Sequence, residues 1–147
     1  MIMMRQVSSD TNIWISLCKL GALQEAFQLD LRYLMEQSAA NDEILSPDYL
    51  LAQLRELGLT EVQLSEDELL FVMERRSVYP ALSAYDLFAL AIAVKRNIPL
   101  LTGDGHLRKA GQTERGRSSR SFVDRHSATK ARNHIAGKKR RIARCHK

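Results

Sequence analysis

The sequence predicts a single α/β domain in three layers, a parallel sheet with helices on both faces, because short apolar strands alternate with helical segments across residues 1–111. Two further observations support this class. Ser65 with Glu68 and Ser83 with Asp86 both carry the capping-box spacing, each just ahead of an apolar helical run. The chain of 147 residues, 45% of them hydrophobic and 27% charged, is long enough for one core and too short for two domains of usual size.

The elements follow in order. Residues 4–9 read as a strand ending at Asp10-Thr11-Asn12, a helix start that leads into Ile13-Trp14-Ile15-Ser16-Leu17 and on to Lys19. Gly21 interrupts the pattern before residues 22–27 form one more helical stretch, and the alternation in residues 31–35 predicts a second strand. A helix is expected over 39–45. Ser46-Pro47-Asp48 stops it and restarts an amphipathic helix over 49–57, closed by Gly58. Val62-Gln63-Leu64 reads as a third strand, and the two capping boxes open helices through about Arg76 and through Val94. Ile98-Pro99-Leu100-Leu101-Thr102 predicts a buried last strand, ended by Gly103-Asp104-Gly105 before a short helix.

Charge divides the chain sharply. Residues 1–111 carry 10 basic and 15 acidic side chains, a net −5, whereas residues 112–147 carry 12 and 2, a net +10. With Phe122, Val123, Ile135 and Ile142 as its large apolar residues, segment 112–147 is expected to be a disordered basic tail outside the domain. Met1-Ile2-Met3-Met4-Arg5 does not read as a secretory leader, and no apolar run approaches the ~20 residues of a membrane span, so a cytosolic protein is expected. Two cysteines make no disulfide framework; Cys18 reads as a small core residue and Cys145 as an exposed thiol.

Four acids fall where a parallel sheet gathers chemistry, outside the carboxyl ends of its strands. Asp10 and Asp104 follow predicted strands, Asp86 opens the long apolar helix, and Glu43 lies on the helix after the second strand. Taken singly, each has a plainer reading. Asp10 and Asp104 suit helix caps, Asp86 completes a capping box, and Glu43 beside Asp42 suits a solvated pair. Only their joint placement points to a site.

In chain order these residues resemble the PIN-domain nucleases, and within them the toxins of bacterial and archaeal toxin–antitoxin pairs. Ser9-Asp10-Thr11-Asn12-Ile13-Trp14 resembles the family's first motif, and Asn41-Asp42-Glu43-Ile44-Leu45 the segment holding its Glu. Residues 82–93 are similar to the helix bearing its third acid, and Leu100-Leu101-Thr102-Gly103-Asp104 to the segment bearing its last. The likeness covers about residues 5–110, with Glu56 as the competing choice for the Glu. It implies hydrolysis of RNA phosphodiester bonds with Mg²⁺ or Mn²⁺. Asp10, Asp86 and Asp104 would hold the ion, directly or through water, and Glu43 would order the attacking water. It also implies supporting hydrogen bonds from Ser9, Thr11, Asn12 and Thr102, a cognate antitoxin and a homodimer. Hard divalent cations suit such a set because they prefer carboxylate and water oxygens.

Other motifs are weaker. His106 reads as a surface residue at a helix start. Cys145-His146, with His126 and His134, lacks the paired spacing of a zinc site, and Gly103-Asp104-Gly105 lacks the length and lysine of a phosphate loop. The chain departs from the family after Ala110, where the expected further strand and helix give way to Gln112-Thr113-Glu114-Arg115-Gly116-Arg117 and a run of Ser and Arg. A native basic arm and a coding sequence read in another frame both fit this change. A second function therefore stands beside the first, nucleic-acid binding without catalysis through Lys138-Lys139-Arg140-Arg141.

Overall fold

Strand β1, Arg5–Ser9, sits inside the sheet because its last three residues are buried on both faces, and parallel sheets bury both faces of their inner strands. In the computed structural model, which describes residues 5–117, β1 pairs in parallel with β2, Leu31–Glu36, on one side and with β4, Leu100–Leu101, on the other. Strand β3, Thr60–Val62, lies beyond β2, giving the order β3-β2-β1-β4 with every pairing parallel. The expectations for residues 118–147, including the basic binding tract and Cys145, lie outside the described residues.

Alternation along the strands builds two cores. Val7, Tyr33, Met35 and Leu101 pack with helices α1 (Thr11–Lys19), α2 (Leu23–Phe27), α3 (Gln37–Glu43) and α4 (Leu50–Leu57). Trp14 anchors this face, its ring 5.1 Å from Phe27 and 4.9 Å from Tyr33. Leu100 points the other way, into a core made by α5 (Glu66–Arg75), α6 (Ala84–Lys95) and α7 (Gly105–Arg117). Helix α6 is apolar nearly all round, as a helix buried in a domain must be, and Leu90, Ala91 and Ile92 are wholly inaccessible to solvent. It lies directly against β1, where the Ser8 hydroxyl donates to the Ala89 carbonyl at 2.7 Å. Both capping boxes form as the spacing predicts.

Several boundaries differ from expectation, each for a physical reason. Helix α3 begins at Gln37 and ends at Glu43 because the Glu36 carboxylate caps it early, accepting from the Ser38 and Ala39 amides at 2.8 and 2.9 Å. Strand β3 falls two residues before 62–64. Gly58, at φ 120°, ends α4 in a turn suited to glycine and returns the chain to the sheet by Thr60. The last strand keeps two residues of the five expected. The expected boundary at Gly111 falls inside α7, which runs on to Arg117. Glu114, counted with the basic tail by composition, is only 2% exposed; it accepts from Arg75 Nε at 3.0 Å and from the Tyr79 hydroxyl at 2.5 Å. A helical residue one turn beyond Ala110 faces the same core, whatever the composition around it. Among the described residues no helix is long and apolar enough to cross a membrane.

Candidate active site

The parallel register sets three residues side by side at the carboxyl end of the sheet. The pairing of Ser8 with Leu34 runs on to place Asp10 beside Glu36, and that of Ser9 with Leu101 runs on to place Asp10 beside Thr102. Adjacent strands are about 4.8 Å apart, so these side chains are immediate neighbours. Strand β1 is also where the connections change face, since α1 packs on one side of the sheet and α7, after β4, on the other. Such a switch opens a crevice at the strand ends.

A small, partly open cleft lies there. The end of β1 contributes Ser9 and Asp10, with Thr11 following; β2 contributes Glu36, α3 contributes Glu43, and the first turn of α6 contributes Tyr85 and Asp86. Asp10, Glu43 and Asp86, distant in sequence, therefore share one cleft. Asp10 is 4% exposed, caps α1 by accepting from the Ile13 amide at 2.9 Å, and accepts a hydrogen bond from the Thr102 hydroxyl. Glu43 Oε1 accepts from the Thr11 hydroxyl at 2.6 Å, which fixes the carboxylate toward β1. Asp86 caps its own helix, accepting from the Ser83 amide at 3.0 Å, so the plainer role and the cleft position coexist in one residue.

Asp104 stands apart from the cleft lining. Its amide donates to Thr102 Oγ1 at 3.0 Å and its Oδ1 accepts from the His106 amide at 3.0 Å. Thr102 thus connects the two aspartates, donating to Asp10 while accepting from the Asp104 backbone. Three residues, Thr102 to Asp104, separate β4 from α7, and Asp104 is tied into that turn by its backbone and side-chain hydrogen bonds. Asn12 is exposed and does not line the cleft, and neither does Glu56, exposed on α4. The Ser9 hydroxyl is spent on the fold, donating to the Leu34 carbonyl at 3.0 Å and accepting from Trp14 Nε1 at 3.0 Å.

Sequence reasoning missed Glu36 and Tyr85. Glu36 is 7% exposed and had a legible signal, an acid at the end of β2 as Asp10 is at the end of β1. Tyr85 immediately precedes Asp86; its hydroxyl donates to Asp42 Oδ2 at 2.7 Å, and this bond holds the phenol above its ordinary value of 10.

Among the described residues no three His, Cys, Asp or Glu side chains stand close enough to cage a metal ion. The donors nevertheless suit a hard cation of one kind. Mg²⁺ keeps several waters and binds through one or two carboxylates plus substrate phosphate, so it needs no ready-made cage. Asp10 and Asp86 flank the cleft with the required oxygens. The chain matches no protein-family model, no curated protein and no solved structure.

Proposed function

We propose that this protein is a metal-dependent endoribonuclease, a hydrolase of RNA phosphodiester bonds, as the PIN-domain resemblance implies. One observation carries the reading: Asp10, Glu43 and Asp86 come from three separate elements and line one cleft at the carboxyl ends of a parallel sheet. Asp10 and Asp86 are the residues to hold Mg²⁺ or Mn²⁺. Such an ion, when bound, would supply charge neutralisation at the phosphate and a more acidic water. Glu43, with Oε1 held by Thr11, orients an attacking water and accepts its proton on Oε2. The water oxygen attacks phosphorus, the bond to the leaving ribose oxygen breaks, and that oxygen takes a proton from solvent. Glu36 fixes the start of α3 and thereby the position of Glu43 at its end. Asp104 supports Asp10 through Thr102 rather than meeting the ion.

An antitoxin and a second copy of the chain belong to the same reading. Leu69, Leu70 and Met73 on α5 are 46%, 56% and 69% exposed and supply apolar surface of the kind protein contacts cover. The direct test of the chemistry is cleavage of a labelled RNA in Mg²⁺ by the wild-type chain, Glu43→Gln and Glu56→Gln. Glu43→Gln is expected to lower turnover about 100-fold or more with metal affinity little changed, and Glu56→Gln to match the wild type. Equal activity in all three chains would remove Glu43 from the reaction.

A further inference from the structure

We propose that Tyr85 is the stacking platform of the cleft, against which a nucleobase next to the scissile phosphate lays its face. This rests on the nuclease reading and adds a substrate-positioning residue to it. Tyr85 sits in the first turn of α6, directly before Asp86; half-buried, it packs against the core that holds Trp14 and also lines the cleft. Three contacts fix that ring. The capping box of Ser83 and Asp86 locks the backbone on either side of it. Phe88, one turn along the helix, meets it edge to face at 5.7 Å and 88°. The hydroxyl donates to Asp42 on α3, so the ring reaches from one wall of the cleft toward the other.

The neighbours on each side of that bond give it meaning. Asp42 precedes Glu43 and Tyr85 precedes Asp86, and Glu43 and Asp86 face the same cleft. A nucleotide whose phosphate approaches those acids brings its base within reach of the ring beside them. An aromatic ring with two side-chain torsions, both already restrained, loses little entropy on receiving a base. Stacking also tolerates any sequence, because every base presents a π face. A mere clip between α3 and α6 would need only the hydroxyl, and this separates the two roles experimentally.

The test uses the full chain with short single-stranded oligonucleotides carrying 2-aminopurine at each position in turn, in Ca²⁺ to slow hydrolysis. Wild-type protein and Tyr85→Phe should quench the fluorescent base at one position; Tyr85→Leu should lose that quench and bind about tenfold more weakly. Removing the base at that position should weaken wild-type binding equally and leave Tyr85→Leu unaffected. Tyr85→Trp, which keeps an aromatic face, should restore quenching and guards against a folding defect in the leucine variant. Quenching in Tyr85→Leu equal to wild type, or no position-specific quench in the wild type, overturns the proposal. Cleavage of RNA with either of those results leaves the nuclease reading standing alone, whereas position-specific quenching without any cleavage removes that reading and keeps the stacking site.

Discussion

Buried and half-buried carboxylates occur in two parts of this molecule and are treated in opposite ways. Around α5, Glu68 and Glu114 are each 2% exposed and each meets an arginine: Arg96 Nε lies 2.7 Å from Glu68, and Arg75 Nε 3.0 Å from Glu114. At the carboxyl end of the sheet, Glu36, Glu43 and Asp86 receive their hydrogen bonds from backbone amides and hydroxyls instead. An arginine partner completes a carboxylate within the protein, and a buried pair of this kind serves the fold. Neutral donors orient a carboxylate but leave its charge available to a cation or a proton. The difference separates acids that hold helices together from the acids we propose for chemistry.

The sharpest way to break this comparison is on the paired side. Arg96→Met removes a cation whose side chain is 31% exposed from a buried glutamate, and should destabilise the domain by about 3 kcal/mol, the lower end for a broken buried pair. Urea denaturation checks it. Any RNA cleavage measured well below the transition should be unchanged, because the pair lies away from the cleft.

On the other side the ranking reverses. Asp86→Asn should cut Mg²⁺-dependent cleavage about 100-fold or more while costing at most about 1 kcal/mol of stability, since an asparagine retains an acceptor for the helix start. Asp104→Asn should cost about 10-fold, the range of a supporting partner. Equal losses would place Asp104 on the ion itself and contradict the geometry around Thr102.

A smaller effect should appear with pH. Burial alone would raise the Glu68 carboxyl, but the hydrogen bonds and charge of Arg96, with those of Ser65, overcome it and hold the group below its ordinary value of 4.5. A lowered value means the folded state binds the proton more weakly than the unfolded chain. Its contribution is therefore complete above about pH 5 and declines as pH falls through the folded value. In Arg96→Met burial acts with less opposition, so this acid-side loss should shrink. Stability curves from pH 3 to 7 for both chains decide it; parallel curves would mean that Arg96 does not set the titration.

Much of the architecture was legible because it is written in local signals. Capping boxes at Ser65 and Ser83, the turn at Gly58 and the alternation in residues 31–35 are short-range features, and tertiary packing agrees with each. Placing Asp10 and Asp86 near the sheet end needed only the rule that strand ends collect function. What was not legible depends on contacts between distant residues. Nothing near Glu114 in sequence announces Arg75 and Tyr79, so the last turns of α7 read as tail. Glu36, just past the strand expected over 31–35, carries no local sign that it caps α3. The side-chain direction of Asp104 depends on how tightly the chain turns after β4, which spacing alone does not set.

Helix α6 has a consequence for how the cleft can move. Its body is packed into the domain along nearly its whole length, whereas α3 is a seven-residue helix with Ala39 and Ala40 as its buried side chains. Tyr85 and Asp86 therefore ride on an element expected to open only with global unfolding, while Glu43 rides on one held by a capping carboxylate, a threonine hydroxyl and a tyrosine–aspartate bond. The two walls should then belong to different cooperative units. Amide exchange should follow that division, with α6 protected to the limit set by overall stability and α3 exchanging through local opening.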